Sequence, residues 1–167
     1  GRRSGGPEDG VDDAVEVPDL DAATAVLAEE DGRAWAVRGR SEVRERAGGR
    51  TFQVAANGFW QIHPGAAETL LGAVLGFADA RPGDWALDLY CGAGLFTAAL
   101  AEAVGPDGAV LGVESDRDAV RNARRNLRDL PQASVERGRV EAALDAAGVE
   151  RADIVVADPP RTGLGRA

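Results

Sequence analysis

From Trp85 onward, short apolar runs alternate with stretches of helical period, and nothing else in the chain constrains its fold as much. After the turn signal Pro82-Gly83, a strand is predicted at Trp85–Tyr90, a helix at Leu95–Val104, a strand at Val110–Val113 and a helix at Asp116–Leu130. A short strand at Ser134–Glu136, a helix at Val140–Ala147 and a strand at Ile154–Ala157 continue the series. Repeated β-α-β units imply parallel strands, because each helix returns the chain to the same end of the sheet. The expected fold class is therefore α/β, with a doubly wound, mostly parallel sheet. Such a sheet places ligands outside the carboxyl ends of its strands.

The preceding residues read differently. Residues 1–19 are dominated by Gly, Pro, Arg, Glu and Asp, with too few apolar side chains to offset the entropy of ordering, and are expected to form a flexible tether. Over 20–57 short strands are broken by turn signals. Asp31-Gly32 separates Ala25-Val26-Leu27 from Ala34-Trp35-Ala36-Val37, and Gly48-Gly49 separates Val43 from the Thr51–Ala55 run. This part is expected to be a small antiparallel β element. In the remaining segment, 58–167, Leu70, Leu71, Val74, Leu75 and Ala78 fall at helical spacing, with Pro64 suited to the first turn.

The chemistry concentrates at the strand ends. Leu87-Asp88-Leu89-Tyr90-Cys91-Gly92-Ala93-Gly94-Leu95-Phe96-Thr97 runs from an apolar strand through a glycine loop into a helix, so backbone amides can approach a ligand closely. Two glycines alone fit a tight turn as well as a nucleotide site. Asp88, just before the glycines, would repel a pyrophosphate but suits a ligand carrying an ammonium and a sulfonium. Thr97 occupies the place of the third glycine of the dinucleotide fingerprint. Glu114 closes the next strand about 20 residues on, where an acid can accept from both ribose hydroxyls. Either acid alone is slightly better explained by a capping or solvated role; together with the glycines they point to S-adenosylmethionine. The last strand delivers Asp158-Pro159-Pro160-Arg161, whose prolines fix a rigid, extended exit beside the same cleft.

Composition bounds the partners. The formal net charge of -9 argues against a large phosphate-binding surface, although every basic residue is arginine. On the predicted 116–130 helix, Arg121, Arg125 and Arg128 form a stripe opposite Ala119, Val120, Ala123 and Leu127, which reads first as a solvated face. Cys91 is alone, so there is no disulfide framework and no cysteine cluster for a metal. No apolar run approaches the ~20 residues of a membrane helix, and a cytoplasmic protein is expected. A chain that opens on Gly1 and contains no methionine is expected to be a segment of a longer one.

The order Gly58-Phe59-Trp60-Gln61-Ile62-His63, then Asp88-Leu89-Tyr90-Cys91-Gly92-Ala93-Gly94, then Gly112-Val113-Glu114, then Asp158-Pro159-Pro160-Arg161-Thr162-Gly163 resembles the RNA uracil-C5 methyltransferases. These enzymes make 5-methyluridine in tRNA and ribosomal RNA. The likeness implies a Rossmann-like class I methyltransferase fold, present here as the amino-terminal part of the domain. Residues 20–57 would end the family's small β-rich domain. By position it implies S-adenosylmethionine contacts from Gln61, Asp88, Tyr90, Gly92, Gly94, Glu114 and Asp158. Leu95 stands where some relatives have asparagine, and Gly138-Arg139 where many methyltransferases carry an acid near the adenine amine. His63 is read as a loop or helix-cap residue, and Phe59 and Trp60 as core.

The family's mechanism uses a cysteine thiolate that adds to C6 of the uracil and a base that later removes the C5 proton. Both are expected beyond Ala167, so no catalytic residue is assigned within the chain, and Cys91 is read as a packing residue of the cofactor loop. RNA is the expected partner of the complete protein; no metal, membrane or DNA is expected. Other readings are a methyltransferase acting on adenine amines or small molecules, and an inactive cofactor- or RNA-binding module. A nucleotide-dependent dehydrogenase is disfavoured by Asp88 and the missing glycine. The apolar strand Ile154–Ala157, left at a sheet edge, is expected to invite self-association.

Overall fold

The computed structural model describes residues 26–30, 33–38, 41–160 and 163. The expected tether at 1–19 lies outside the described residues. The chain divides into two compact units, 1–41 and 42–167. In the first, β1 (Val26–Glu30) and β2 (Arg33–Arg38) pair antiparallel, with Glu30 opposite Arg33 and a register shift between Val26 and Leu27. This is the hairpin that Asp31-Gly32 signals.

The second unit opens with another antiparallel hairpin, β3 (Glu42–Ala47) and β4 (Arg50–Ala55), closed by the pair Ala47 and Arg50. Its two turn residues, Gly48 and Gly49, have φ of 55° and 73°, the left-handed pair that a two-residue hairpin with native twist requires. Gly48 is doubly constrained, since a Cβ there would lie 3.0 Å from Leu71 Cδ1.

Sequence analysis grouped both hairpins in one element, yet the second belongs to the unit that carries the parallel sheet. Three ties hold it there. Phe52 and Val54 sit in the core at 1% and 2% exposure; burying each contributes roughly 1.5–3 kcal/mol. Arg50 donates to Glu102 and Asp129 and to the Asn126 carbonyl. The Asn126 side chain completes the third tie: it accepts from Gln53 N at 2.8 Å and donates to Gln53 O at 3.0 Å, pairing with β4 as a neighbouring strand would.

Eight further elements follow. They are α1 (Ala66–Ala78), β5 (Trp85–Leu89), α2 (Leu95–Val104), β6 (Ala109–Glu114), α3 (Arg117–Asn126), β7 (Ala133–Arg137), α4 (Val140–Ala146) and β8 (Ile154–Ala157). Strands β5 to β8 form one sheet in the order β7-β6-β5-β8, every neighbour parallel. The Rossmann-like class I methyltransferase fold expected from sequence is thus present. Helices α1, α2 and α3 cover one face over a core that includes Leu71, Leu100, Val104, Val110, Val120 and Leu127. On the other face α4 packs over Leu87, Leu89, Leu111 and Val113. The strand order reverses at β5, whose neighbours are β6 and β8, and the crevice at that reversal is where such sheets bind ligands.

One local detail differs from expectation. Helix α1 begins at Ala66 with Gly65 as its N-cap, so Pro64 precedes the first turn instead of occupying it. The cap is assisted by His63, whose Nδ1 accepts from Gly65 N and whose carbonyl accepts from Ala66 N. Strand β8 lies at the sheet edge, and its Val155 is 57% exposed.

Candidate functional site

At the carboxyl ends of β5, β6 and β8 lies a cleft of about 560 Å³, lined by Gln61, Tyr90, Cys91, Gly92, Glu114, Ser115, Asp158 and the two following prolines among others. Five residues picked from sequence, Gln61, Tyr90, Gly92, Glu114 and Asp158, therefore meet in one place. They come from four separate segments of the chain.

The loop after β5 builds the floor. Tyr90 takes a left-handed conformation, φ 67°, uncommon for a residue with a Cβ. That kink is held because Tyr90 N and Cys91 N both donate to Val113 O, at 2.8 and 3.0 Å. Gly92 follows at φ 55°, and a Cβ there would meet nothing within 4 Å, so glycine is needed for its conformation and leaves the cleft floor open. Gly94 does not line the cleft. It is the N-cap of α2 at φ 89°, and a Cβ on it would lie 3.3 Å from Leu127 Cδ1, so its role is close packing of α2 against α3.

Glu114 is the organising acid. Its Oε1 accepts from Ser115 N and Asp116 N at 2.7 and 2.8 Å, and its Oε2 accepts from Gly92 N at 3.0 Å. The carboxylate thus ties the end of β6 to the glycine loop after β5 and stands pre-oriented at the cleft wall. Oε1 also accepts from the Ser115 hydroxyl at 3.3 Å, whereas Oε2 has Gly92 N alone and keeps a second acceptor direction for a ligand hydroxyl.

Asp88 behaves differently from its expected part. It is 0% exposed and does not line the cleft. Strand periodicity explains this: Asp88 shares a face with Ala86, the face that α2 covers. There its Oδ2 accepts from the Thr97 hydroxyl at 2.5 Å, while Oδ1 has no partner among the described residues. Burial pushes its carboxyl up to about 7, opposed by the Thr97 hydroxyl and amide and reinforced by Asp158 and Glu114. Thr97 and Gly112 complete this layer. A Cβ on Gly112 would lie 3.0 Å from Cys91 Sγ and 3.1 Å from Thr97 Oγ1.

Cys91 is 6% exposed, and burial, then Asp88 and Glu114, push its thiol well above the ordinary range. A thiolate nucleophile needs the opposite environment. The packing role read from sequence agrees with this placement. Trp60 packs against Phe52, ring centroids 5.5 Å apart, as a core residue would. Phe59 does not: it is 74% exposed and lines the cleft.

A second cavity adjoins Glu114 and Tyr90, lined also by Gly138, Arg139, Val140 and Pro160. Of the arginine stripe, Arg121 pairs with Asp118, and Arg125 pairs with Glu42 and donates to Gln53. Sequence reasoning missed Asn126, which donates from Nδ2 to Ala93 O and so links the glycine loop to the hairpin. An asparagine near a helix end gives no signal of such reach.

Comparisons with known proteins agree with the fold. Residues 81–160 match a family described as a methyltransferase domain. An uncharacterized RNA methyltransferase of Streptomyces coelicolor is 49% identical over 152 residues, covering 90% of this chain and 33% of the relative. One from Streptomyces avermitilis is 50% identical over 150 residues, covering 89% and 35%. The chain thus spans about a third of the length of these curated relatives. Among solved structures, the Pyrococcus abyssi tRNA (uracil-54, C5)-methyltransferase in complex with S-adenosyl-L-homocysteine superposes with a TM-score of 0.58 at 29% identity, over 80% of this chain and 31% of that one. By fold and likeness together, the chain is similar to S-adenosylmethionine-dependent RNA methyltransferases, and its residues 81–160 match a methyltransferase domain.

Proposed function

We propose that this chain is the cofactor-binding part of an enzyme that methylates C5 of uridine in tRNA or ribosomal RNA. The observation that carries the reading is the meeting of Gln61, Tyr90, Gly92, Glu114 and Asp158 around one cleft at the sheet's reversal point. The residues suit S-adenosylmethionine on chemical grounds. Asp158 and Glu114 bring carboxylates to the cleft, and among the described residues no lysine or arginine lines it, which favours a ligand carrying positive charge. Gly92 leaves room for close approach of the ligand, and Glu114 keeps an acceptor direction for a ribose hydroxyl.

When bound, S-adenosylmethionine supplies an electrophilic methyl group. The chain's own residues hold and orient it: Glu114 at the ribose, the Tyr90 turn and Gly92 beneath, Gln61 from the loop before α1, and Asp158 with its prolines on the far wall. Uracil is a poor nucleophile at C5 until a thiolate adds at C6. The one cysteine of these residues, Cys91, is buried with its thiol pushed up. We therefore assign the nucleophile and the base to residues outside these 167. The likeness to a tRNA uracil-C5 enzyme supports the choice of uridine.

The test uses the full-length protein that contains this chain, with tRNA and ribosomal RNA transcripts and isotopically labelled methyl donor, followed by nucleoside mass spectrometry. Labelled 5-methyluridine is the expected product. Labelled methyladenosine without 5-methyluridine would overturn the assignment of the base and favour amine methylation.

A further inference from the structure

S-adenosylmethionine and its demethylated product differ little in shape, yet one carries a sulfonium and the other a neutral thioether. A buried acid behind the cleft floor is placed to sense that difference. Asp88 is 0% exposed, with one oxygen held by Thr97 and the other, Oδ1, unpartnered among the described residues. Among the described residues, no element around it contributes positive charge. Helix α2 presents the Thr97 hydroxyl, the turn after β5 presents the Cys91 thiol, and the ends of β6 and β8 bring the Glu114 and Asp158 carboxylates. From β6, Gly112 leaves no room for a further group, since even a Cβ would crowd Cys91 Sγ and Thr97 Oγ1. Among the described residues, three acids and no cation form an arrangement that a cationic ligand completes.

Resting on the reading that the cleft takes S-adenosylmethionine, we propose that Asp88 is a specificity-determining residue that favours the cationic methyl donor over its neutral product by giving up a proton when the donor binds. Without ligand the carboxyl is held near 7 by burial, so at neutral pH about half the molecules carry the proton. With positive charge in the cleft, the Asp88 O–H bond breaks, the proton passes to the buffer, and the carboxylate remains hydrogen-bonded by Thr97. The product shares the donor's ammonium and carboxylate but lacks the sulfonium, so Asp88 retakes its proton after transfer and holds the product less tightly. Residue identity at 88 thereby couples product release to the loss of charge at sulfur.

Calorimetry on the full chain tests this, with S-adenosylmethionine and S-adenosylhomocysteine titrated in buffers of contrasting ionisation enthalpy. Near pH 7 the donor should release up to about half a proton more than the product. Between pH 8 and pH 6 the donor's affinity should fall about tenfold relative to the product's. Groups that meet both ligands alike, including the ligand ammonium, cancel in this comparison. Asp88→Asn should abolish both differences. Thr97→Val, which removes a bond favouring the ionised form, should move the affinity change to higher pH, and it decides the matter if the asparagine variant does not fold. Equal proton release by two ligands that both bind overturns the role of Asp88 while leaving the cofactor reading intact. Binding of neither ligand overturns the cofactor reading and this inference with it.

Discussion

Replacing Glu114 separates a ligand-binding role from a loop-holding one, and the geometry sets the size of each. Its carboxylate accepts three backbone amides, from Gly92, Ser115 and Asp116, at 2.7–3.0 Å, and the Ser115 hydroxyl; Oε2, bonded to Gly92 N alone, keeps one acceptor direction for a ribose hydroxyl. A hydrogen bond to a charged group contributes ~1.5–3 kcal/mol, so Glu114→Ala should weaken S-adenosylhomocysteine binding about 10- to 150-fold. The amides of Ser115 and Asp116 face solvent once freed, so water replaces much of their loss. Gly92 N is part-buried, and the fold should lose only ~1–2 kcal/mol. Glu114→Gln sharpens the test, because its amide group can accept from Ser115 and Asp116 but then turns an N–H toward Gly92 N. That variant should therefore disturb the glycine loop while keeping side-chain volume. Isothermal calorimetry gives the affinities, and thermal unfolding of the same samples shows that the variants are folded. Affinity for the product within twofold of the parent chain in a folded Glu114→Ala variant would remove this acid from the site.

Other residues yield narrower tests. Asn126→Ala should cost ~2–4 kcal/mol in urea unfolding, since it leaves the Gln53 amide and the Ala93 carbonyl without partners; Arg50→Ala, whose ion pairs are largely exposed, should cost ~1 kcal/mol. The reverse order would mean that the hairpin is held by charge. Because the Asp88 carboxyl is raised from 3.8 to about 7, the ligand-free folded state binds the extra proton. Asp88 therefore subtracts stability as pH rises from about 4 to 7, by up to ~4 kcal/mol. Asp88→Asn should accordingly gain stability over the parent chain at pH 8 relative to pH 5, and an equal difference at both pH values would contradict the burial argument. In the full-length protein, Cys91→Ala should still form the covalent adduct with 5-fluorouridine RNA; its loss with cofactor binding intact would make Cys91 the nucleophile. The bare edge of β8, with Val155 outward, should let the isolated chain self-associate in sedimentation velocity, and Val155→Lys should reduce this. A monomer at high concentration in both would refute it.

The sheet was legible because its signal is periodic and local. Apolar runs at β5, β6 and β8 and the intervening helical spacing carry the α/β order without any knowledge of packing. The hairpin signals at Asp31-Gly32 and Gly48-Gly49 were equally local, as both depend on turn chemistry. Which unit each hairpin belongs to was not legible. The answer for β3–β4 rests on Arg50 and on Gln53, whose partners Glu102, Asp129 and Asn126 lie 52 to 79 residues away. No window of sequence contains such a pairing. Phe59 shows the same limit in reverse: hydrophobicity predicts burial on average, and only the course of the loop sets this ring at the cleft.

The two acids at strand ends make the deeper point about sites. Asp88 and Glu114 are indistinguishable as sequence signals, each an acid near the end of an apolar strand before a turn. Glu114 is the last residue of β6, so its side chain leaves the sheet and meets the amides of Ser115, Asp116 and Gly92. Asp88 lies one residue inside β5, which keeps its side chain within the layer under α2, dry and held by Thr97 alone. One position along a strand thus separates an acid with three amide partners from one pushed up to about 7. Local sequence fixes that an acid is present; the strand's last paired residue fixes whether it contacts a ligand or answers to the ligand's charge through the floor of the cleft.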